Sequence, residues 1–331
     1  MDFPTFADVL AARRRIAPHL RPTPLYRYPA LDAVAGTEVW VKHENHQPIG
    51  AFKVRGGVNL MSSLMSGPMS GPMSGLDTDD RRRGVATAST GNHGQSIAWA
   101  ARLFGVSAVV CAPEGANPVK IESIRALGAE VVLSGRDFDE ARELCERLAE
   151  KEGRRYIHAG NEPLLIAGVA TGSLEIFEER PDIDVVVVPV GGGSGAAGAS
   201  LVTRTVRPDA QVVAVQSAAA PAAYRSWQAR ALVEGPMGTF AEGLATRTAF
   251  DLPQRMLWAL LDDFVLVSDD ALRAATRTMI EKTRNLVEPA GAAALAAVLA
   301  DPGRFAGRRV AVVCSGGNIS PAQLREVLGA G

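Results

Sequence analysis

The chain alternates short apolar segments rich in β-branched residues with longer segments rich in alanine. The apolar segments are almost continuously hydrophobic, which is typical of strands that are covered on both faces of a sheet. They predict strands at residues 38–42, 84–88, 107–111, 130–133, 185–190, 211–216, 264–267 and 309–314. The segments between them predict helices at residues 51–64, 95–104, 118–127, 138–150, 164–177, 196–206, 269–282 and 291–299.

This alternation of strand and helix predicts parallel sheets with right-handed crossovers. In such sheets, ligands bind beyond the carboxyl ends of the strands. Several polar, glycine-rich loops of this chain directly follow predicted strands, so we expect functional residues in those loops.

One segment departs from the pattern. A Met-Ser-Gly-Pro unit recurs between Met65 and Gly75, and the charged run 77–83 follows it. Proline and glycine at this density cannot continue a helix. We interpret the segment as a mobile surface loop without a role in function.

The composition excludes several classes of function. The chain has 331 residues, enough for one large domain or two intimate ones. Its 35 lysines and arginines against 36 aspartates and glutamates argue against nucleic acid or an anionic membrane as a partner. The apolar runs are too short to span a bilayer, and the N-terminus lacks the features of a signal peptide. Widely spaced cysteines indicate reduced thiols and a cytoplasmic location.

The first candidate functional loop contains Lys53 inside the predicted helix 51–64, with Gly50, Gly56 and Gly57 around it. A helix dipole favours anions at the N-terminus, so the same field lowers the pKa of an amine there. A lysine of lowered pKa is suited to form a Schiff base. Taken alone, such a residue is more often an ordinary surface lysine.

A second candidate loop, residues 88–95, follows one predicted strand and precedes a helix. Its central residues are Ser89, Thr90, Gly91, Asn92 and His93. Backbone N–H groups, hydroxyls and an amide at a helix N-terminus form a natural site for a carboxylate or a phosphate. The alternative interpretation is a polar turn in which Ser89 or Asn92 caps the helix.

The third candidate loop, residues 190–198, follows the most apolar strand. Its glycines let the backbone approach an anion and direct N–H groups toward it, so we predict a phosphate site. Gly193 to Gly198 also match the G-x-G-x-x-G pattern of nicotinamide cofactor sites. That pattern requires an acidic residue about 20 residues later. The chain has Gln216 at the end of the next strand, so we disfavour the dinucleotide.

Other motifs are weaker indicators. The late loop 315–318, Ser-Gly-Gly-Asn, follows the last predicted strand and by itself indicates only a turn. His43 and His46 lack the H-E-x-x-H spacing of zinc proteases, and no G-x-S-x-G elbow supports a serine hydrolase. Glu288 opens a predicted helix, either as a neighbour of the cap or as a site residue.

Together, four of these loops resemble the fold-type II pyridoxal-phosphate enzymes, specifically their threonine/serine dehydratase branch, which includes serine racemase. Their order and spacing match that family from about Arg21 to Asn318. The similar segments are 51–56 to Ser-Phe-Lys-x-Arg-Gly, 89–95 to Ser-Ser-Gly-Asn-His-x-Gln, 191–198 to a tetraglycine loop, and 315–318 to Ser-Gly-Gly-Asn.

This resemblance implies an α/β fold with two open, mostly parallel twisted sheets and flanking helices, and pyridoxal 5'-phosphate as the cofactor. It implies a large domain, residues 1–50 and 155–331, that holds the cofactor phosphate. A small domain, residues 51–154, would carry the substrate loop. Because family members are commonly dimers, we expect a homodimer that takes a small amino acid as its substrate.

The resemblance also assigns roles to individual residues. Lys53 would form the Schiff base and later move the substrate Cα proton. Phe52 would pack near the pyridine ring, Asn92 would contact the ring 3-hydroxyl, and Ser315 the ring nitrogen. The phosphate would be held by Gly191, Gly192, Gly193, Ser194 and Gly195. The substrate carboxylate would be bound by Ser89, Thr90, Gly91, Asn92 and His93, with Thr90 also counted as catalytic.

Four positions depart from the family pattern. Thr90 stands where serine racemase has the serine that acts on the second face of Cα, which weakens the case for racemisation. Gln216 stands where several relatives have a cation-binding glutamate, so we expect no metal. Ser194 replaces a glycine of the phosphate loop, and Ala51 replaces the serine before Phe-Lys.

We therefore predict elimination of water and then ammonia from a threonine- or serine-type hydroxy amino acid. The alternatives are elimination from 3-hydroxyaspartate or a hydroxyectoine-derived compound, serine racemisation, β-replacement, and non-catalytic amino-acid binding, which an intact Lys53 disfavours. Candidates for the side-chain pocket are His43, His46, Thr239 and Phe240. Because the chain ends soon after Asn318, we expect a short form without a regulatory domain.

Overall fold

The computed structural model describes residues 1–66, 78–136 and 138–329. Its strands are β1 (Leu25–Arg27), β2 (Glu38–His43), β3 (Val85–Ala88), β4 (Ala108–Ala112), β5 (Glu130–Leu133), β6 (Arg155–Tyr156), β7 (Val185–Pro189), β8 (Gln211–Ser217), β9 (Asp263–Val267) and β10 (Arg309–Cys314). Apart from Met65 and Ser66, the Met-Ser-Gly-Pro repeat that we interpret as a surface loop lies outside the described residues.

The helices cover most of the remaining chain. They are α1 (Phe6–Ile16), α2 (Pro29–Ala35), α3 (Lys53–Met65), α4 (Thr78–Arg83), α5 (Asn92–Phe104), α6 (Pro118–Ala126), α7 (Phe138–Glu152), α8 (Pro163–Glu179), α9 (Ser194–Val206), α10 (Ala222–Ala229), α11 (Asp251–Leu260), α12 (Asp269–Thr283), α13 (Pro289–Ala300), α14 (Pro302–Phe305) and α15 (Pro321–Gly329). Short 3-10 helices lie at Glu44–His46 and Glu242–Leu244. Within the described ranges, no helix is both long and apolar enough to cross a membrane.

The strands form two separate sheets. The larger sheet has six strands in the order β1-β2-β10-β7-β8-β9, and its pairs are parallel except β1 with β2. The smaller sheet has four parallel strands in the order β5-β4-β3-β6. The predicted fold class, two open and mostly parallel sheets with flanking helices, is therefore confirmed.

The two sheets use different parts of the chain. The strands of the smaller sheet lie between Val85 and Tyr156, and those of the larger sheet lie before and after this stretch. β6 begins at Arg155, directly after the predicted boundary, and pairs with β3. The division into a large domain, 1–50 and 155–331, and a small domain, 51–154, stays a prediction.

The packing of the core explains why the strands of the larger sheet could be predicted from the sequence. Alternate valines of β7 face opposite sides of the larger sheet, with Val186 and Val188 on one side and Val185 and Val187 on the other. The first side packs on α8, α9 and α11, and the second packs on α12 and α13. Because both faces are buried, the strand is apolar throughout.

The elements without a sequence prediction are short or amphipathic. β1 has three residues with only the first buried, and β6 has two half-buried residues, so neither contains an apolar run. α1 buries Val9, Ala12 and Ile16 at helical spacing and starts with a capping box of Thr5 and Asp8. That capping box is a start signal legible in the sequence.

Close helix contacts fix the start of α3, the helix that begins with Lys53. A Cβ on Gly168 of α8 would lie only 2.6 Å from the carbonyl O of Arg55. A Cβ on Gly57 would lie 2.4 Å from Ser96 Oγ of α5. Glycine at these crossings brings the helix backbones together and thereby holds α3 between α5 and α8.

Replacing Gly168 with alanine (Gly168→Ala) should lower the free energy of unfolding by about 1–3 kcal/mol, because the α3 backbone cannot move aside for the new methyl. Urea unfolding measures the change. Gly115→Ala is the matched control, since a Cβ on Gly115 meets nothing within 4 Å. Equal stability of the two variants would contradict the close packing of α3 and α8.

Candidate active site

One cavity of about 500 Å³ brings the predicted loops together. It opens at the carboxyl ends of β3 in the smaller sheet and of β7 and β10 in the larger sheet. Its lining includes every residue predicted to act in catalysis or to hold the cofactor or the substrate carboxylate, namely Phe52, Lys53, Ser89, Thr90, Gly91, Asn92, His93, Gly191, Gly192, Gly193, Ser194, Gly195 and Ser315.

Lys53 is the first residue of α3, whereas the sequence predicted a helix that starts two residues earlier. Its Nζ donates a hydrogen bond to Ser194 Oγ at 2.8 Å and lies 5.2 Å from the centre of the Phe52 ring. Burial lowers the pKa of Lys53 to about 8. The lowered pKa was predicted from the helix dipole, but desolvation of the ammonium is its cause here.

The segment before Lys53 is tied to the loop after β10. The N–H of Phe52 donates to the carbonyl O of Ser315 at 3.1 Å, and Ala51 forms an antiparallel bridge with Gly316. These backbone contacts bring the beginning and the end of the chain into one site.

The glycine loop after β7 offers unpaired backbone donors. Gly193 has a φ of 86°, a left-handed conformation that favours glycine, and α9 starts at the next residue without a side-chain cap. Among the described residues, none accepts a hydrogen bond from the N–H groups of Gly192, Gly193, Ser194 or Gly195. A helix N-terminus with free N–H groups binds anions such as phosphate.

The same loop has no room for larger residues. A Cβ on Gly191 would lie 2.2 Å from the carbonyl O of Gly243. The ring of Phe250 is wedged between Gly160 and Gly192, and a Cβ on either glycine would lie 2.3 Å from it. The sequence gives no signal for Phe250, because its role depends on contacts with distant parts of the chain.

The loop after β3 folds around the hydroxyl of Ser89. Ser89 Oγ accepts hydrogen bonds from the N–H groups of Gly91 at 3.2 Å and Gly94 at 2.9 Å. Ser89, and not Asn92, is therefore the side chain that accepts hydrogen bonds from backbone N–H groups at the start of α5. Thr90 is half-buried at the cavity surface.

His93 is buried beneath this loop as a neutral ring. Thr87 Oγ1 donates to the carbonyl O of Ile157 at 2.7 Å, so it must accept the hydrogen bond that joins it to His93 Nε2 at 2.9 Å. Nε2 therefore carries the proton. Burial lowers the pKa of His93 to about 3, so the ring gives no positive charge to a bound anion.

Asn92 belongs to a polar group at the junction of the two sheets. Its Nδ2 donates to Glu288 Oε1 at 2.8 Å, and its Oδ1 accepts from Asn318 Nδ2 at 2.7 Å. Burial raises the pKa of Glu288 above its ordinary value. Of the two interpretations of Glu288, a cap neighbour or a site residue, the structure supports a position in the site, because Glu288 lines the cavity.

Lys120 of α6 reaches the same cavity. Its Nζ pairs with Glu242 Oε2 at 2.6 Å, and this ion pair links α6 of the smaller sheet to the 3-10 helix Glu242–Leu244. A Cβ on Gly91 would lie 3.8 Å from Lys120 Nζ, so the ammonium lies beside the substrate loop. A single lysine within a helical pattern gives no sequence signal for this position.

The four residues predicted as candidates for the side-chain pocket lie elsewhere. His43 stacks on His46 with ring centres 4.8 Å apart and hydrogen-bonds the Tyr28 hydroxyl at 2.8 Å. Thr239 Oγ1 donates to a carboxylate of α12, and the Phe240 backbone N–H contacts the same carboxylate. The described lining of the cavity contains none of the four. It contains instead Arg142, His158, Leu232, Met237, Arg247 and Thr248.

The described residues contain no group of three or more His, Cys, Asp or Glu side chains that could hold a metal ion. At the position where the family resemblance suggested a cation ligand, Gln216 Oε1 accepts the N–H of Tyr224 at 3.1 Å.

Comparison with known proteins identifies the family. A family model described as pyridoxal-phosphate dependent enzyme matches residues 16–316. The chain belongs to this family.

Individual members of the family are similar along nearly the whole chain. The L-threonine ammonia-lyase of Thermotoga maritima is 36% identical over 330 residues, 99% of this chain and 79% of that protein. The β-hydroxyaspartate dehydratase of Paracoccus denitrificans is 33% identical over 320 residues, 96% of this chain and 98% of that protein. The structure of maize serine racemase has a TM-score of 0.90 at 29% identity and covers 99% of this chain and 98% of its own. The resemblance to fold-type II enzymes is thus confirmed.

Pyridoxal 5'-phosphate is the cofactor of this pyridoxal-phosphate dependent enzyme, and the cavity fits it. The aldehyde requires an amine, and Lys53 supplies one whose pKa is lowered by burial. The phosphate requires donors, and the unpaired N–H groups at the start of α9 supply them. The predicted cofactor is therefore confirmed, while the roles of single residues stay predictions.

The cofactor-free enzyme should combine with pyridoxal phosphate faster as the pH rises, with a midpoint near 8. Only the neutral amine attacks an aldehyde, and a pKa of about 8 raises its fraction from about one tenth at pH 7 to about nine tenths at pH 9. Stopped-flow absorbance should therefore show about a tenfold rise. The same reaction with a small alkylamine in place of the enzyme gives the pH dependence that comes from titration of the cofactor, and this contribution is then removed. A midpoint near the ordinary lysine pKa of 10.5 would contradict desolvation of Lys53.

Proposed function

We propose that this enzyme eliminates water from a β-hydroxy amino acid of the threonine or serine type and releases a 2-oxo acid and ammonia. The observation that carries the proposal is the Lys53 amine, which has a lowered pKa and is hydrogen-bonded to Ser194 of the glycine loop. The similarity to an L-threonine ammonia-lyase supports the same reaction.

Each part of the cofactor has a group of residues that would hold it. When bound, pyridoxal phosphate supplies an aldehyde for the substrate amine and a ring that stabilises negative charge at Cα. Lys53 would hold the aldehyde, Phe52 would pack near the ring, and Asn92 and Ser315 would contact its polar atoms. The phosphate would be held by Gly191, Gly192, Gly193, Ser194 and Gly195.

Lys53 would move the proton at the substrate Cα. A base is most effective when its pKa lies near the working pH, and the pKa of Lys53 of about 8 satisfies this condition. Ser194 Oγ accepts one of the Nζ protons at 2.8 Å and would thereby orient the amine. The ammonium that Lys53 becomes would then protonate the departing hydroxyl.

The loop after β3 would bind the substrate carboxylate. Within the described chain, the N–H groups of Thr90, Asn92 and His93 make no hydrogen bond, whereas those of Gly91 and Gly94 donate to Ser89 Oγ. Free N–H groups at the start of a helix attract an anion. Ser89 would act by ordering the loop.

The Thr90 hydroxyl, which hydrogen-bonds no described residue, would face the substrate. The Lys120 ammonium lies beside the loop, but Glu242 balances its charge at 2.6 Å, so the free N–H groups of the loop would make the main contribution to carboxylate binding. A threonine at position 90 also disfavours racemisation, despite the likeness to maize serine racemase.

A second candidate substrate is 3-hydroxyaspartate, which carries another carboxylate. Arg142 and Arg247 line the cavity and could bind it, and one relative is a β-hydroxyaspartate dehydratase. Both guanidinium groups lie 3.8 Å from Asp139, however, and Arg142 also pairs with Glu146 at 2.9 Å. Because these carboxylates already balance the arginines, the threonine- or serine-type substrate is preferred.

We also propose that the enzyme is a cytoplasmic homodimer. Cys111, Cys145 and Cys314 are buried free thiols, which is compatible with a reducing compartment. Membership of a family whose members are commonly dimers supports the oligomeric state.

Lys53→Ala should remove the visible absorbance of the lysine-linked cofactor and lower kcat by about 10³-fold or more, because the chain then lacks both the linking amine and the base. Lys151→Ala, which changes an exposed lysine of α7, is the control and should keep both. Retention of the absorbance or of turnover in Lys53→Ala would reject the proposed function.

A panel of hydroxy amino acids, assayed for 2-oxo acid and ammonia, should give the highest kcat/KM with threonine or serine. Arg142→Gln should change that kcat/KM by less than about threefold, because the contact is specific to a second carboxylate. If 3-hydroxyaspartate is instead the best substrate and Arg142→Gln lowers its kcat/KM by about tenfold or more, the second candidate replaces the first.

A further inference from the structure

A second cavity, of about 20 Å³, lies directly beneath the active-site cavity. Four residues line both cavities: Phe52, Pro189, Gly195 and Ser315. The deeper cavity is lined further by Lys42, Glu44 and Ser173. A single water molecule needs about 10–15 Å³, so the space is large enough for one.

Two hydroxyl groups in the wall of this small cavity lack a partner. Ser173 and Ser315 are 7% and 8% exposed, and neither Oγ hydrogen-bonds any residue that the structure describes. Buried hydroxyls are nearly always satisfied by protein or by ordered water. The small cavity is therefore large enough for a small polar molecule, and its two hydroxyls need a hydrogen-bond partner.

Lys42, which lines the same cavity, has an unused hydrogen-bond donor. A lysine ammonium has three N–H groups, and Lys42 Nζ donates to the carbonyl O of Thr23 and to Glu175 Oε2, each at 2.6 Å. No other acceptor for Nζ lies in the described part of the chain. Because Lys42 is 1% exposed, bulk solvent cannot satisfy the third N–H group.

Glu44 cannot be the donor at this cavity. Its carboxylate accepts hydrogen bonds from Arg55 at 2.7 and 2.8 Å and from Thr23 Oγ1 at 2.6 Å. Burial alone raises the pKa of Glu44, but the charge and hydrogen bonds of Arg55 outweigh burial and hold the pKa below its ordinary value. The carboxylate therefore stays ionised and only accepts.

We propose that one ordered water molecule occupies the small cavity and relays a hydrogen bond from Lys42 to Ser315. The water accepts from Lys42 Nζ and donates to Ser173 Oγ and Ser315 Oγ. The Ser315 hydroxyl proton is then left to point into the active-site cavity. Lys42 and Ser173 are thus positioning residues for Ser315, and their effect on the reaction rests on the proposed contact between Ser315 and the cofactor ring nitrogen.

The relay makes Ser315 a donor toward the ring nitrogen. A donor stabilises the unprotonated form of that nitrogen. Without the water, Ser315 could turn and accept from the protonated form, so the nitrogen would take up a proton at higher pH. The charged and titratable groups around the relay are Lys42, Glu44, Lys53, Arg55, Glu175, Glu288 and Cys314.

Ser173→Val tests the relay, because it removes one hydroxyl and fills the cavity with a methyl. Nuclear magnetic resonance of the holoenzyme, with an isotope label on the cofactor ring nitrogen, gives the pH at which that nitrogen titrates. In Ser173→Val the midpoint should rise by about one pH unit, the equivalent of one lost hydrogen bond.

Ser200→Val is the matched control. Ser200 is a buried serine of α9 whose hydroxyl has no hydrogen-bond partner among the described residues, and it lines neither cavity. Its variant should titrate like the wild type. A purely structural role of Ser173 would lower stability without moving the midpoint, so an unmoved midpoint in Ser173→Val overturns the proposal.

A crystal structure of the wild type, with or without cofactor, should show one water molecule within hydrogen-bond distance of Lys42 Nζ, Ser173 Oγ and Ser315 Oγ. This measurement tests the proposed water molecule even if Ser173→Val does not fold. An empty cavity overturns the proposal. Failure of the proposed function would differ: the wild type would release neither 2-oxo acid nor ammonia from threonine or serine, whereas the crystal would still show the water.

Discussion

The candidate active site is organised around one contact, the hydrogen bond from Lys53 Nζ to Ser194 Oγ. It joins the start of α3 to the start of α9, and so it places a buried amine beside N–H groups that donate to no residue described in the structure. Burial lowers the pKa of this amine, while the helix N-terminus beside it favours an anion. An aldehyde with a phosphate group satisfies both requirements, which explains why this fold binds pyridoxal phosphate.

The chain surrounds this contact with a neutral group of buried charges. Arg55, two residues after Lys53, hydrogen-bonds Glu44 and Glu175, and Lys42 pairs with Glu175. These four side chains tie α3 to β2 and α8. Loss of any one would leave the group with a net charge away from bulk solvent, which destabilises the fold. Two members of the group, Lys42 and Glu44, line the small cavity, so the group connects the stability of α3 to the polar surroundings of Ser315.

Sequence patterns predicted the features that are determined by residues close together in the chain. The valine run of β7 identifies a buried strand, because burial on both faces requires apolar residues at successive positions. The glycines that follow it identify an anion-binding loop, because close approach of the backbone requires residues without a side chain. Phe250 and Lys120 have roles that arise only when distant segments meet, and for the same reason the sequence left Glu288 open between a neighbour of the cap and a site residue. The side-chain pocket was wrongly predicted at His43 for the same reason: no local pattern shows which way that side chain faces.

The most direct test of the central claim is reduction of the holoenzyme with borohydride, followed by proteolysis and peptide mass spectrometry. Reduction makes the link between amine and cofactor permanent, so the modified lysine can be read from the fragments. We expect the cofactor mass on the peptide that contains Lys53 and on no other. Cofactor found on Lys120 or Lys42, or no covalent link at all, would contradict the account.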